Sequence, residues 1–343
     1  MNTWVKVFLV ATLMLAAVLR AAPNAALAGA KDVKFVVAGG DLSQEVAAEV
    51  MALNMYLGAL DFRMRTLGVL KGKYNLKILN TLFPNANECL TGVASGAAEM
   101  TFSGPHYLEA LEQSWKVAEA PGVFESWDHF MKTMNSPAWK AANEKMAKEK
   151  GVTVLKWMAD IGNYFLYTKK GPVNSLADLK GQKIRFPGGE GFAKALQAME
   201  TTPISLPYTE VVTALQTNMI DGLLTDMFGA FYYYELPRYT KYCVHVTWAI
   251  QPINFVVNTK WWESLPPAER QAIQDVFDRI DVSLFFNNAQ AAITQGWGQN
   301  PATQLIDLPD DEAKKWKQIM RDASKDVLAG VDPELIKAID EAR

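Results

Sequence analysis

The chain has 343 residues, of which 50% are hydrophobic and 21% are charged, and its formal net charge is −3. This much apolar side chain predicts a large folded core, and so few charges exclude a disordered chain. A mildly acidic chain lacks the concentrated basic face that phosphate binding needs, so no nucleic-acid partner is predicted.

Residues 1–30 have the pattern of a secretory signal peptide. They contain no Asp or Glu, Lys6 supplies a positive start, and residues 7–19 form a 13-residue apolar run. A helix that crosses a membrane needs about 20 apolar residues, so this run is too short to be a span. Small residues at 26–30 offer cleavage sites. We therefore expect a periplasmic protein that does not span the membrane after cleavage.

Strands and helices alternate along the next part of the chain. Strands are predicted at 33–38, 76–79 and 99–103, with a helix at 87–97. Another helix is predicted to follow Gly40, with Asp41 or Ser43 as its cap. This order predicts an α/β fold with a mostly parallel sheet, whose ligands gather beyond the carboxyl ends of the strands. His106 follows the third strand at such an end.

The pattern continues through the rest of the chain. Helices are predicted at 127–150, 175–181, 192–199 and 208–218, and strands at 152–158, 164–168, 183–186, 221–224 and 253–257. A long helix, capped by Ser264 and entered at Pro266-Pro267, keeps an apolar stripe towards Ile293. At about 30 residues it would be roughly 40 Å long, which is long enough to brace two lobes.

No catalytic residue, cofactor or metal is predicted. The sequence lacks the dinucleotide, P-loop, zinc-protease and nucleophile-elbow signatures. Residues 188–191 are interpreted as a turn from strand to helix, and residues 310–312 as the first turn of an exposed helix. The three histidines lie far apart without ligand spacing. An exported chain can pair Cys89 with Cys243, and two such distant cysteines leave that pairing open.

Two side chains in the second half are candidate ligand contacts. Arg185 lies in a strand whose carboxyl end points to the predicted cleft, and a guanidinium offers a planar fork of donors for a carboxylate or sulfonate. A structural salt bridge explains the same residue equally well. Tyr208 follows Pro207 at the start of a helix, where its ring would either lie against a ligand or pack between helix and sheet.

Residues 172–222 resemble the solute-binding proteins of tripartite ATP-independent periplasmic (TRAP) transporters, the DctP-like family. The most specific match is the run Glu-Val-x-x-Ala-Leu-Gln-Thr-x-x-x-Asp-Gly at 210–222, supported by residues 172–187. Weaker matches at 90–102 and 258–266 extend the resemblance, in the right order, over almost the whole mature chain.

The resemblance implies a two-lobed receptor of the type II periplasmic-binding-protein kind, with a long helix that spans both lobes. It implies one lobe from residues 31–161 and 250–289, and a second from residues 162–249 and 290–343. Such a receptor captures a small organic anion and delivers it to the membrane permease. Arg185 falls on the family's carboxylate-binding arginine, and Tyr208 on its ring-stacking aromatic position.

The chain departs from many relatives at three places in the expected cleft. Tyr164 stands where sugar-acid-binding relatives have a second arginine, and residues 221–225 replace two polar groups by leucines. Residues 104–107 replace a more polar stretch. These departures predict a smaller, less polar pocket for a short carboxylate, a 2-oxo or hydroxy acid, an aromatic acid or a small alkylsulfonate. The expected ligand-binding residues are Arg185, Tyr208, Thr225, Tyr164, His106, Asp41 and Gly40.

Two other functions are compatible with the sequence. An exported α/β hydrolase or isomerase would use a carboxylate such as Asp221 or Glu210 as its base, although no nucleophile motif accompanies either residue. A periplasmic sensor would share the fold and present its ligand to a receptor kinase. The oligomeric state is not readable from the sequence.

Overall fold

The structure is a computed structural model that describes residues 29–37, 59–61, 63–64, 68–79, 82–158, 163–226, 230, 235–279 and 304–343. Most of the predicted signal segment, and Gly40 and Asp41 with the helix predicted after them, lie outside these residues. So does the predicted long helix beyond residue 279. Within the described part of the chain, no helix combines the length and apolar character needed to cross a membrane.

Eleven strands lie within the described residues. They are β1 (Lys31–Val36), β2 (Tyr74–Leu79), β3 (Met100–Ser103), β4 (Val152–Met158), β5 (Phe165–Thr168), β6 (Lys183–Phe186), β7 (Thr202–Ser205), β8 (Gly222–Thr225), β9 (Tyr242–Val244), β10 (Ile253–Asn258) and β11 (Gln304–Ile306). They form two sheets, in the orders β2-β1-β3-β10-β4 and β11-β9-β5-β8-β6-β7. The predicted α/β fold with two lobes is confirmed, and each sheet is the centre of one lobe.

The three strands from which a mostly parallel sheet was predicted do pair in parallel, but both sheets also contain antiparallel pairs. In the first sheet β1 is parallel to β2 and β3, whereas β10 is antiparallel to both of its neighbours. In the second sheet β5 is antiparallel to β8 and β9. The antiparallel strands are those that flank the passage of the chain from one lobe to the other. The alternation of strands and helices in the sequence does not show where the chain passes from one lobe to the other.

The central strands are buried on both faces. Every residue of β8 and of β10 is buried, which matches their nearly continuous apolar sequences. Gly222 at the start of β8 is required by close packing. A Cβ at this position would lie 2.4 Å from the backbone oxygen of Tyr167 on the neighbouring strand.

Helices cover both sheets. They are α1 (Ala86–Ser95), α2 (Pro105–Leu108), α3 (Trp127–Met134), α4 (Pro137–Lys150), α5 (Glu190–Ala198), α6 (Val211–Gln216), α7 (Thr259–Ser264), α8 (Pro267–Arg279), α9 (Asp310–Leu328) and α10 (Pro333–Glu341). In the first lobe α1 packs on β3 and β10, and α4 packs on β4. In the second lobe α9 packs on α5, and α10 returns to the first lobe to pack on α3 and α4.

Three predicted helices differ from those observed. The segment 127–150 forms two helices because Ser136 caps a new helix with Pro137 in its first turn, although Gly151 ends it as predicted. The segment 208–218 is a 3-10 turn followed by the shorter α6. Ser264 is the last residue of α7 and not the cap of the long helix.

Among the described residues, two neighbouring segments lead from a strand of one sheet to a strand of the other. One leads from β4 to β5 and the other from β9 to β10. Backbone hydrogen bonds join them, from Tyr164 N–H to the Ala249 oxygen (3.0 Å) and from Trp248 N–H to the Tyr164 oxygen (3.0 Å). Tyr164 therefore lies at the junction of the two lobes.

Candidate functional site

Arg185 lies in β6, between β7 and β8, and is only 2% exposed. Its Nε donates to the carbonyl oxygen of Leu206 at 2.9 Å, and its Nη1 donates to the carbonyl oxygen of Leu224 at 3.2 Å. Both hydrogen bonds that Arg185 makes within the described chain therefore go to neutral oxygens. Neither bond is a salt bridge, which was the alternative role predicted for Arg185.

Tyr164 brings the junction of the lobes into the same region. Its ring is buried and packs edge-to-face on Phe192 of α5, with ring centroids 5.0 Å apart. Burial raises the pKa of Tyr164 well above its ordinary value, and the negative charges of Glu119 and Asp226 act in the same direction, whereas Arg185 opposes them. The pKa of this phenol is therefore affected by charged groups of both lobes.

The carboxyl end of β8 carries Thr225 and Asp226. Thr225 is buried and lies opposite Phe165 in the ladder between β5 and β8. Asp226, the next residue, is 1% exposed. The sequence predicted Thr225 as a site residue and missed Asp226, although the Asp follows the same strand end directly. A buried carboxylate is costly unless other groups compensate for its charge, so Asp226 belongs to the charge balance of the cleft.

The first lobe contributes a histidine–glutamate pair. His106 lies in α2, just beyond β3, and its Nδ1 is 2.6 Å from Oε2 of Glu119. Both side chains are more than nine-tenths buried. The other heteroatoms of the pair, His106 Nε2 and Glu119 Oε1, have no hydrogen-bond partner among the described residues. The sequence predicted His106 only.

The pair lies at the seam between the lobes. Gly188 and Gly189 of the second lobe lie directly against the imidazole, since a Cβ on Gly188 would be 3.2 Å from His106 Cδ2. Both glycines have positive φ, and α5 begins at Glu190 directly after them. The predicted turn from strand to helix is confirmed. Lys116 of the first lobe reaches across the seam to Glu190, with a nitrogen–oxygen distance of 3.7 Å.

Glu109 and Tyr208 occupy the edges of this region. Burial, reinforced by the charge of Glu190, raises the pKa of Glu109 above its ordinary value. Tyr208 lies in a 3-10 turn after Pro207 and is half-buried against Val36 of the first lobe. It therefore packs against residues of both lobes.

The carboxylates named as possible catalytic bases lie away from this cluster. Asp221 precedes β8, whereas Thr225 ends it. The Asp221 carboxylate accepts hydrogen bonds from the backbone N–H of Lys183 at 2.9 Å and pairs with Lys170 at 2.8 Å. Glu210 is exposed.

The cysteines and the acidic turn have structural roles. Cys89 and Cys243 are both free and buried, so the open question of their pairing is answered in favour of two thiols.

Residues 310–312 do begin a helix, but Glu312 is buried and accepts a hydrogen bond from the Leu176 N–H at 2.7 Å. The interpretation of this turn as wholly exposed is therefore wrong. Among the described residues, no three His, Cys, Asp or Glu side chains gather as metal ligands would.

Comparison with known proteins gives consistent results. Residues 53–330 match the family model for bacterial extracellular solute-binding protein, family 7 (DctP). The chain is 26% identical over 281 residues to the 2,3-diketo-L-gulonate-binding periplasmic protein of Escherichia coli K12, which covers 80% of this chain and 83% of that protein.

Two solved structures have the same fold. A TRAP periplasmic solute-binding protein from Shewanella oneidensis with bound succinate has a TM-score of 0.78 at 20% identity, covering 91% of this chain and 99% of the other. A TRAP periplasmic solute-binding protein from Desulfovibrio desulfuricans with bound sn-glycerol-3-phosphate has a TM-score of 0.79 at 17% identity, covering 91% and 97%.

Proposed function

The chain belongs to the DctP family, family 7 of the bacterial extracellular solute-binding proteins, and we propose that it captures a small organic anion for a TRAP membrane permease. It acts as a receptor in the periplasm and not as an enzyme. The anion is a carboxylate or a short sulfonate, and Arg185 is its principal contact.

The burial of Arg185 carries this proposal. A guanidinium that is 2% exposed and bonded to two neutral carbonyl oxygens has lost its water without gaining a counter-charge from those bonds. A buried charge in this condition is stabilised by an opposite charge nearby. The fork of an arginine accepts the two oxygens of a carboxylate in parallel bonds, which are stronger than neutral hydrogen bonds.

The compounds bound by the relatives support an anionic ligand. The E. coli relative is named for 2,3-diketo-L-gulonate, and the two solved structures hold succinate and sn-glycerol-3-phosphate. All three compounds carry a carboxylate or phosphate group, although their carbon skeletons differ. An anionic head group is therefore the common element that we extend to this protein.

The remaining wall favours a compact ligand. Leu223 and Leu224 are fully buried in the strand beside Arg185 and offer no polar side chain there, and the Tyr164 ring fills space at the junction of the lobes. His106 and Thr225 complete the proposed contacts within the described chain. Tyr208 is proposed as a stacking ring, and Gly40 and Asp41 as further contacts from outside the described residues.

Closure follows from the placement of these groups on both lobes. A ligand that touches Arg185 in one lobe and His106 in the other favours the closed arrangement, because only differential contact shifts a conformational equilibrium. We assign residues 31–161 and 250–289 to one moving body and residues 162–249 and 290–343 to the other, except that α10 packs on the first. The closed form is what the permease would recognise.

A thermal-shift screen of small carboxylates and sulfonates, followed by calorimetry, tests the proposal. A ligand at 100 times its Kd stabilises the folded protein by about 2.7 kcal/mol, which is readily measured. The proposal predicts saturable binding of at least one anion and its recovery unchanged after long incubation. Failure of every anion to bind, or its conversion to a product, would contradict the receptor role.

A further inference from the structure

We propose that the ligand carries a hydrogen-bond donor in addition to its acid group, and that Glu119, positioned by His106, selects for that donor. This inference rests on the receptor role proposed above and narrows its ligand class. It assigns the acid group to the second lobe and the donor to the first.

The two unsatisfied atoms of the pair are the starting point. Glu119 Oε2 and His106 Nδ1 are 2.6 Å apart and share one hydrogen bond. Glu119 Oε1 and His106 Nε2 are both buried and lack a hydrogen-bond partner among the described residues. A buried polar atom left unpaired costs about 1–3 kcal/mol, so native proteins rarely leave two of them side by side without a reason.

Glycines on both sides allow the backbone to approach the buried edge of the imidazole at the seam. A Cβ on Gly104 would lie 2.6 Å from His106 Cε1, and a Cβ on Gly188 would lie 3.2 Å from His106 Cδ2. Nε2 is the ring atom between these two carbons, so this edge of the imidazole lies between the lobes. Gly104 has φ −84°, which any residue adopts, so the backbone conformation does not require glycine here. The missing side chain instead allows Gly104 to approach the His106 ring closely.

Glu119 Oε1 also lies close to Gly104. It is 3.5 Å from the position that a Cβ on Gly104 would occupy. Residues on either side of Glu119 bind the second lobe: Lys116 pairs with Glu190, and the Pro121 carbonyl oxygen accepts a hydrogen bond from Ser324 Oγ at 2.7 Å. The carboxylate is thus fixed at the contact between the lobes.

The chemistry of the pair identifies what it can bind. Whether the shared proton resides on Nδ1 or on Oε2, the other carboxylate oxygen has only lone pairs to offer. Glu119 Oε1 therefore accepts a hydrogen bond and cannot donate one. A second acid group at this position would place two acceptors against each other, so dicarboxylates are disfavoured.

Formal charge ranks the possible donors. Glu119 is an acidic side chain that is at least nine-tenths buried. An anionic ligand adds another negative charge, which a positively charged amino group offsets and a hydroxyl group does not. We therefore expect amino acids to bind best, hydroxy acids next, and unsubstituted acids least.

Calorimetry with matched acids tests this ranking on the mature protein. The probes are propionate, lactate and alanine; butyrate, 4-hydroxybutyrate and 4-aminobutyrate; and succinate. In at least one set, the donor-bearing acid is expected to bind about tenfold or more tightly than the unsubstituted acid, which is the ordinary worth of a hydrogen bond to a charged group. Succinate is expected to bind no more tightly than butyrate.

Two variants separate selection from folding. Glu119→Gln should reduce the preference for the donor to about threefold or less, and leave the unsubstituted acid within about threefold of wild type. Glu112→Gln, a carboxylate that caps a nearby 3-10 turn, should leave the preference unchanged. Equal binding of all members of every set by wild type, or an unchanged preference in Glu119→Gln, would overturn the inference and leave the receptor role standing. If no carboxylate or sulfonate binds at all, both fail.

Discussion

The two sides of the cleft differ in charge and in the way they are held. The second lobe presents Arg185, a cation fixed by backbone carbonyls within a six-stranded sheet. The first lobe presents the His106–Glu119 pair, which lies on a four-residue helix and a following loop. Rigid strands suit a contact that every anionic ligand shares, and loops suit one that varies between relatives. In the proposed function, the second lobe captures the anion and the first lobe selects among anions.

Removal of the cation should have the largest effect. Arg185→Ala leaves the anion without its counter-charge in a buried site, so binding should weaken by about 2–5 kcal/mol, or roughly 30- to several-thousand-fold. Calorimetry with the tightest acid from the screen measures this loss. Lys183→Ala provides the matched control, because Lys183 is an exposed cation in the same strand. A loss of the same size in both variants would show only a general charge effect.

Added volume should distinguish the two lobes in stability. In Gly222→Ala the new Cβ would lie 2.4 Å from a backbone oxygen, which cannot move aside, so we expect a loss of about 1–3 kcal/mol or more. In Gly104→Ala the Cβ meets the His106 side chain and not a backbone atom, so the loss of stability should be smaller, and the donor preference should fall because the His106–Glu119 pair is displaced. Urea unfolding measures the stability of both variants, and calorimetry measures the donor preference of Gly104→Ala.

Gly171→Ala is the control for these two variants, because nothing lies within 4 Å of a Cβ there. Its unfolding free energy should stay within about 0.5 kcal/mol of wild type. A smaller loss in Gly222→Ala than in Gly104→Ala would contradict the view that the second lobe is the more rigid.

One buried carboxylate in each lobe should contribute to acid sensitivity. Burial raises the pKa of Asp221, but hydrogen bonds from Lys170 and the Lys183 N–H outweigh it, so the pKa is lowered overall. Glu269 in the first lobe behaves in the same way through Lys73 and Tyr74. A carboxyl whose pKa is lowered by folding stabilises the protein above its unfolded pKa, near 4, and this stabilisation is lost as the pH falls through the folded pKa.

Asp221→Asn and Glu269→Gln should therefore each destabilise the protein by about 1 kcal/mol at neutral pH. Each should also make the unfolding free energy less dependent on pH below about 5. Thermal or urea unfolding between pH 3 and 7 checks this. A variant whose stability falls with acid as steeply as wild type would show that the residue is not responsible.

The cysteines should have the smallest effect. Burial, reinforced by the charge of Glu88, raises the pKa of Cys89 to about 12, and burial raises the pKa of Cys243 as well. The thiolate is the reactive form, so neither folded thiol should react with a thiol reagent at pH 7.5 within minutes. Reductant should leave the melting temperature unchanged. Rapid labelling of the native protein would contradict the packing around one of these residues.

The sequence predicted the buried strands well, because their apolar runs are long and end at clear turns. It missed β7, β9 and β11. Strand β7, at the edge of the second sheet, has no buried residue, and β9 and β11 have only three residues each, so none of them leaves a strong pattern. It also joined α3 to α4, since Lys-rich polar sequence continues across Asn135 and Ser136 into the next helix.

The candidate site residues could be named only where a motif or a strand end marked them. Arg185 lies one residue before the end of β6 and Thr225 ends β8, and the family resemblance at 172–222 covers Arg185. Glu119 lies 13 residues after His106, in a segment without a motif, and it reaches the histidine only because the chain folds back between α2 and α3. Asp226 was missed although it follows Thr225 directly, because a lone carboxylate after a strand has no distinctive spacing.

A crystal structure of the protein with its tightest-binding acid tests the central claim most directly. The account predicts that the acid oxygens accept hydrogen bonds from the Arg185 guanidinium while a donor of the same ligand reaches Glu119 Oε1 across the seam. An acid bound elsewhere, with Arg185 still contacting only the carbonyl oxygens of Leu206 and Leu224, would contradict it.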